Sequence, residues 1–226
     1  MSNEAPGSGR MLSQVAEDYL KTIYMLQGDG RVGTNDLAQS LEVSSATVTK
    51  MLKRLTRMEL VDHEAYRGVR LTEPGRKIAL EIIRHHRLLE TYLKEIMGFS
   101  WSEMHDEAER LEHHISEEFE ERIDEMLGYP THDPHGHPIP TKDGVIADSA
   151  TQTLADVDPG SSVVVHHVSD GDAEMLHYLE STGLLPNSRV HVVRKEPFNG
   201  PLRVQLESGE KTIGREVARN VFVNEA

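Results

Sequence analysis

A chain of 226 residues with a hydrophobic fraction of 37% can hold two domains or one large one. It has no cysteine, which excludes disulfides and thiolate metal sites and suits a reducing cytoplasm; no apolar run reaches membrane-spanning length, and the polar start MSNEAPGSGRM has no signal-peptide core. A net charge of −14 weighs against nucleic acid as a partner, but the charge is unevenly spread.

In chain order, Val15, Tyr19, Leu20, Ile23 and Tyr24 fall at helical spacing. Thr34 or Asn35 can cap a short helix through Leu41. After a tight turn at Glu42-Val43, Ser44 caps a second helix to about Met58, with Val48, Leu52 and Leu55 facing inward. LVDHEAYRGVRLT then reads as a hairpin turning at Tyr66-Arg67-Gly68. This is the spacing of a helix–turn–helix followed by a wing. The second helix shows Ser44, Ser45, Thr47 and Lys50 near its front, then Lys53, Arg54 and Arg57. Between Ser44 and Arg57 there are four cations and no anions. A recognition helix places its N-terminal residues on base edges while Lys and Arg hold phosphates, and Arg67 and Arg70 would sit at the wing. Any amphipathic helix has a charged outer face. That ordinary reading leaves the wing-position hairpin and the one-sign patch in an acidic chain unexplained, so double-stranded DNA is the expected partner.

From Glu73 to Leu127 the pattern is helical. One helix is expected from about Pro74 to Met97, ended by Gly98. Ser100 or Ser102 starts another and Ser116 a third. Glu109, Glu112 and His113 fall at i, i+3 and i+4 and share a helical face, and His86 and Glu90 are a second such pair. His105 opens the next helix, and Asp18 lies on the first. Most helical glutamates are solvated, and Glu117, Glu118, Glu120, Glu121 and Glu125 are assigned to an exposed face. His114, His132, His135, His137, His166, His167, His177 and His191 are read as surface or loop histidines. A metal site at His132, His135 and His137 is the lesser alternative. Residues 129–144, YPTHDPHGHPIPTKDG, hold four prolines and read as a loop and domain boundary. Residues 151–226 alternate as strands, SSVVVHHV, RVHVVRK, LRVQLE and VFVNE, around a short helix at Ala173–Ser181.

The order of helix–turn–helix and wing, RHHRLLETYL, SEMHDEAERLEHHISEEFEERID, THDPHGHPIP and a small β domain resembles the diphtheria toxin repressor family over residues 13–226. The resemblance implies a mainly α fold with a small β domain. Its parts would be a winged helix–turn–helix (10–73), a helical dimerisation and metal-binding domain (74–144) and an SH3-like, FeoA-like β-barrel (151–226). Carboxylates at Asp18 and Glu109, where the iron branch has Met and Cys, resemble the manganese transport regulators. By that likeness Asp18, Glu109, Glu112 and His113 form a primary site. His86, Glu90 and His105 form a second, joined by an acid of the β domain, with Asp172 favoured over Asp170 and Glu174. Oxygen donors with one imidazole suit Mn(II), and Fe(II) or other divalent transition metals could bind as well. Lys21 stands where a two-domain manganese regulator has a ligand glutamate, so its binuclear primary cluster is not expected here. The function implied is a cytoplasmic, homodimeric, manganese-dependent repressor in metal-ion homeostasis that is not an enzyme. An iron-responsive regulator is the alternative, and a metallo-hydrolase the weaker one. Leu88, Leu89, Leu93, Ile96 and Met97 are candidate dimer contacts.

Overall fold

The computed structural model describes residues 12–28 and 30–226, so the first residues of the expected 10–73 domain lie outside the described residues. The chain divides into two compact units, Met1–Ile83 and Arg84–Ala226.

In the first unit, α1 (Gln14–Gln27) buries Ala16, Tyr19, Leu20 and Ile23; of the expected apolar set Tyr24 is half-buried and Val15 is exposed. The next helix, α2 (Thr34–Ser40), follows Gly33 and has no side-chain cap. Thr34 is therefore its first residue and not its cap, and the Asn35 side chain instead accepts from Ser45 Oγ at 3.1 Å. Glu42 takes φ 52° in the turn. The third helix, α3 (Ser45–Arg57), is capped as expected, Ser44 Oγ accepting from Thr47 N–H at 3.2 Å, and it buries Val48, Leu52 and Leu55. The hairpin of β1 (Val61–Glu64) and β2 (Gly68–Leu71) is antiparallel, pairing Val61 with Leu71 and Glu64 with Gly68. Gly68 is required there: its φ is +96°, and a β-carbon would lie 2.4 Å from the Val32 carbonyl oxygen, beside the Val32–Val69 bridge.

The long α4 (Glu73–Glu95) carries the division between the units. It ends two residues before the expected Met97. Gly98 then turns the chain at φ +74°, with Phe99 N–H donating to Leu93 O at 3.1 Å. In the second unit α5 (Trp101–Leu111) starts after Ser100, whose N–H donates to Glu103 Oε2 at 3.0 Å. It stops at Leu111; a turn through His114 precedes α6 (Glu117–Met126), capped by Ser116 as expected. The β part comprises β3 (Ser162–Val168), α7 (Ala173–Thr182), β4 (Arg189–Lys195), β5 (Leu202–Leu206), β6 (Gly209–Ile213), α8 (Arg215–Arg219) and β7 (Val221–Glu225). Its strands form one antiparallel sheet in the order β6-β5-β4-β3-β7.

One apolar core joins Leu88, Leu89 and Leu93 of α4, Trp101 and Met104 of α5 and Ile123 of α6 to the sheet. Those three leucines, candidates for dimer contacts, are therefore spent inside the unit, while Ile96 and Met97 stay 52% and 55% exposed. Glu120 departs from expectation too. It is buried, because Arg84 donates to both Glu120 and Asp124 and to Pro140 O, and His85 Nε2 lies 3.3 Å from Glu120 Oε2. Burial would raise the Glu120 carboxyl; His85 and Arg84 outweigh it and bring it down to about 2.

Candidate metal centres and DNA-facing surface

Every expected DNA-facing residue of the recognition helix, Ser44, Ser45, Thr47, Lys50, Lys53, Arg54 and Arg57, is exposed. Lys50, Lys53, Thr56 and Arg57 line an open groove with His63 of β1. The wing cations are held differently. Arg70 Nε lies 3.1 Å from Asp62 and Arg67 3.1 Å from Glu64, and Arg31 bonds both acids at 2.7 and 2.6 Å. Three guanidiniums thus surround two carboxylates, which trims the positive field of the wing. Arg31 was not legible as part of this cluster, since it lies outside the hairpin. Its partners are set by the pairing of Val32 with β2. Arg54 belongs to the unpaired-sign face of α3, so Arg54→Ala should weaken binding to all duplex sequences alike and reduce the salt slope by roughly one. Anisotropy titrations from low to high salt would check this, and an unchanged slope would remove Arg54 from the phosphate contacts.

The metal candidates of the second unit converge from α4, α5, the proline loop and the end of β3. Glu112 is the C-cap of α5 with helical backbone angles (φ −55°, ψ −28°), so it still lies on the Glu109 face; His113 lies in the turn beyond and not on the helix. His113 Nε2 nonetheless sits 3.4 Å from Glu112 Oε1. His86 stands between two buried carboxylates, with Nδ1 2.6 Å from Glu112 Oε2 and Nε2 3.0 Å from Glu90 Oε1. Glu109 Oε1 is 3.7 Å from the same Nδ1. If Nδ1–H is donated to Glu112, Nε2 of a neutral ring is unprotonated and turns its lone pair, the pair that binds a metal, toward the Glu90 side. A neighbour of this kind selects the tautomer of a ligating histidine. His105 Nδ1 lies 2.9 Å from Glu90 Oε1. Burial alone would raise the Glu90 carboxyl, but His86, His105 and His135 hold it well below the ordinary glutamate range. Burial would likewise depress the His105 imidazole, and Glu90 beside it raises it instead.

Asp18 lies half-buried on α1 of the first unit, its carbonyl accepting from Thr22 Oγ1 at 2.8 Å. The acid from the β part differs from expectation. Asp172 is exposed and caps α7, Oδ1 accepting from Glu174 and Met175 N–H at 2.9 and 3.1 Å. Asp170 takes the inner position: donor atoms of His86, His105 and Asp170 all lie within 4.8 Å of one another. Burial would raise its carboxyl, yet His137 leads the neighbours that lower it.

Three histidines read as surface or loop are buried: His135, His137 and His167 are 0%, 8% and 6% exposed. The loop folds inward because Asp133 Oδ1 accepts both His135 and His137 N–H at 2.9 Å, and because Gly136 packs on β3. Gly136 has φ +91°, and a β-carbon there would be 2.1 Å from His166 O. The signal available in sequence was Asp133, His135 and His137 at alternate positions around a glycine. Burial keeps His167 neutral, its imidazole pushed down to about 3 with His137 and His166 close by. Glu90 Oε2, Asp133 Oδ2, both ring nitrogens of His135 and His137 Nδ1 are buried without a hydrogen bond among the described residues. Most stand only in longer ion-pair contacts: His135 Nδ1 lies 3.4 Å from Glu90 Oε2, and Asp133 Oδ2 lies 3.4 Å from His137 Nδ1 and 3.5 Å from Arg87 Nε. Together they form a lining of oxygen and imidazole donors suited to a divalent cation.

A model of the iron-dependent repressor N-terminal DNA-binding domain matches residues 11–69, one of the iron-dependent repressor metal-binding and dimerisation domain matches 72–141, and a FeoA domain model matches 152–225. The iron-dependent repressor IdeR of Mycobacterium leprae is 36% identical over 226 residues, covering 94% of this chain and 97% of that protein. The chain belongs to the iron-dependent repressor family. This bears out the resemblance to the diphtheria toxin repressors and the arrangement of helical parts followed by an SH3-like β part. The chain is also similar to the HTH-type transcriptional regulator MntR of Shouchella clausii, 39% identical over 114 residues, which are 50% of this chain and 79% of that one. Among solved structures, a manganese-dependent transcriptional repressor in complex with manganese aligns with TM-score 0.86 at 38% identity, covering 93% of this chain and all of that one. No helix among the described residues is long and apolar enough to cross a membrane.

Proposed function

We propose that this family member is a manganese-dependent repressor acting in the cytoplasm as a homodimer on double-stranded operator DNA, to keep cellular metal in balance, and that it catalyses no reaction. Residues 10–73 would bind DNA, 74–144 would hold metal and the dimer contact, and 151–226 would form the SH3-like domain. Asp18, Glu109, Glu112 and His113 are proposed as the primary ligand set. His86, Glu90 and His105 are proposed as the second, with Asp170 in place of Asp172. Mn(II), when bound, would supply divalent charge and six coordination positions that favour oxygen and nitrogen donors. The residues' own part is to gather carboxylates that repel one another when unmetallated, and so make the DNA-competent state depend on the ion.

The observation that carries the reading is the donor set itself: carboxylates and imidazoles gathered around His86 and Glu90, in a chain without a single cysteine. An iron-responsive regulator is the second reading, favoured by the identity to IdeR. To separate them, duplexes bound by the protein would be selected from a random library, and their binding followed by anisotropy against Mn(II) and, without oxygen, against Fe(II). The proposal expects Mn(II) to switch binding on at the lower free concentration. Binding indifferent to both ions would refute it, and a preference for Fe(II) would give the iron reading its place.

A further inference from the structure

The second position holds more donors than one ion can use. His86, His105 and Asp170 form one triad within 4.8 Å, and Asp133, His135 and His137 form another, entirely buried, that neither the primary nor the second ligand set includes. Between them stands Glu90, fully buried. Its Oε1 faces His86 Nε2 at 3.0 Å and His105 Nδ1 at 2.9 Å, while Oε2 faces His135 Nδ1 at 3.4 Å. Asp170 borders both as well, with Oδ2 3.5 Å from His137 Nδ1. The rings are strung out: His86 to His105 is 5.0 Å between centroids, His105 to His135 6.3 Å and His135 to His137 6.4 Å.

We propose that this region binds two divalent cations and not one, with Glu90 bridging them through its two oxygens. One ion would take His86, His105 and Asp170; its neighbour would take Asp133, His135 and His137 of the proline loop. This deepens the functional reading above and rests on it for the first of the two ions. An octahedral ion accepts about six donors at roughly 2.0–2.2 Å, and the two triads with the two Glu90 oxygens exceed that number. Paired ions bridged by a carboxylate sit about 3.5–4 Å apart, a spacing compatible with a glutamate whose two oxygens face different imidazoles. The atoms that make no hydrogen bond support the same division. Glu90 Oε2, Asp133 Oδ2, His135 Nδ1 and Nε2 and His137 Nδ1 all belong to the loop side, and beyond long ion-pair contacts of 3.4–3.5 Å among themselves and with Arg87 and Asp170, a lone ion at the His86–His105 triad would give them nothing closer. The loop ion would also pin residues 133–137 to α4, a tie that Arg87 already begins by donating to Pro138 O at 2.6 Å.

The test uses the full-length protein and Mn(II) alone. Equilibrium dialysis with elemental analysis counts ions per chain, and electron paramagnetic resonance distinguishes isolated from spin-coupled Mn(II). The expected result is three ions per chain with a coupled-pair spectrum. His137→Gln and His135→Gln should each lose one ion and convert the coupled signal to an isolated six-line one. Two ions per chain with only isolated signals in the unaltered protein would overturn the proposal whether or not the variants fold. A coupled signal that survives in both variants would overturn it equally, by placing the pair elsewhere. Failure of the functional reading looks different: operator binding would then ignore Mn(II), whatever the ion count.

Discussion

Replacing Glu112 by Gln is expected to raise the Mn(II) concentration needed for operator binding by more than about a hundredfold, since loss of a mere outer-shell partner of a metal ligand already weakens a site by about 10–100-fold. Glu112 is the most enclosed acid of the proposed primary set, with 0% exposure, and its two oxygens face His86 at 2.6 Å and His113 at 3.4 Å. Gln preserves the shape of that side chain and removes its charge. The proposed site then loses an anionic donor, and the charged acceptor that orients His86 becomes a neutral amide, which accepts more weakly through its oxygen and not at all through its nitrogen. Both proposed sites should therefore weaken together, because the same imidazole faces Glu90 on its other edge. Glu121→Gln is the control: Glu121 lies on the exposed face of α6, 3.4 Å from Lys142, and its loss should leave the Mn(II) midpoint where it was. Circular dichroism of the metal-free proteins separates loss of metal response from loss of fold. Identical Mn(II) midpoints for Glu112→Gln and the unaltered chain would remove Glu112 from the site.

How far the sequence reaches can be judged from particular residues. Ser44 and Ser116 were readable as caps because capping is local: a hydroxyl and a free N–H three residues on. Thr34 and Asn35 do not cap because the helix already begins at Thr34, after Gly33, and the Asn35 side chain is taken by Ser45 of the next helix. The strand Gly209–Ile213 was missed since only Ile213 is buried, so an exposed edge strand carried almost no apolar alternation. The short α8, REVAR, is below the length at which helical periodicity can show. Sites divide the same way. His86 with Glu90 lies one helical turn apart on one element and was legible from spacing. Asp170, His135 and His137 come to the same place only through the fold of the proline loop onto β3, recorded by Val168 N–H donating to His135 O at 3.0 Å. Residue type alone assigns histidines and glutamates to the surface. Glu120 and His135 are buried because partners distant in sequence neutralise or orient them.

Arg84→Met should destabilise the second unit by about 3–5 kcal/mol, the usual penalty for removing one member of a buried ion pair. The guanidinium serves Glu120, Asp124 and the Pro140 carbonyl together, and its side chain is only 9% exposed. Methionine fills similar volume, so the expected loss comes from two buried carboxylates left without their cation. The chain's one tryptophan, Trp101, is 4% exposed in the core of this unit, and its fluorescence during urea unfolding reports the change directly. Charge can be told from packing by adding Glu120→Gln and Asp124→Asn to Arg84→Met. With no buried charge left to compensate, the triple variant should regain most of the lost stability. The acid dependence has a defined sign. Glu120 titrates near 2 when folded against an ordinary 4.5, so the stability it contributes is present above pH 4.5 and is lost as pH falls from there toward 2. Arg84→Met should flatten that part of the profile, because the carboxyl moves back toward its ordinary value once a main cause of its depression is gone. A triple variant no more stable than Arg84→Met, with the acid slope of the unaltered chain intact in the single variant, would mean that Arg84 acts through packing and not through charge.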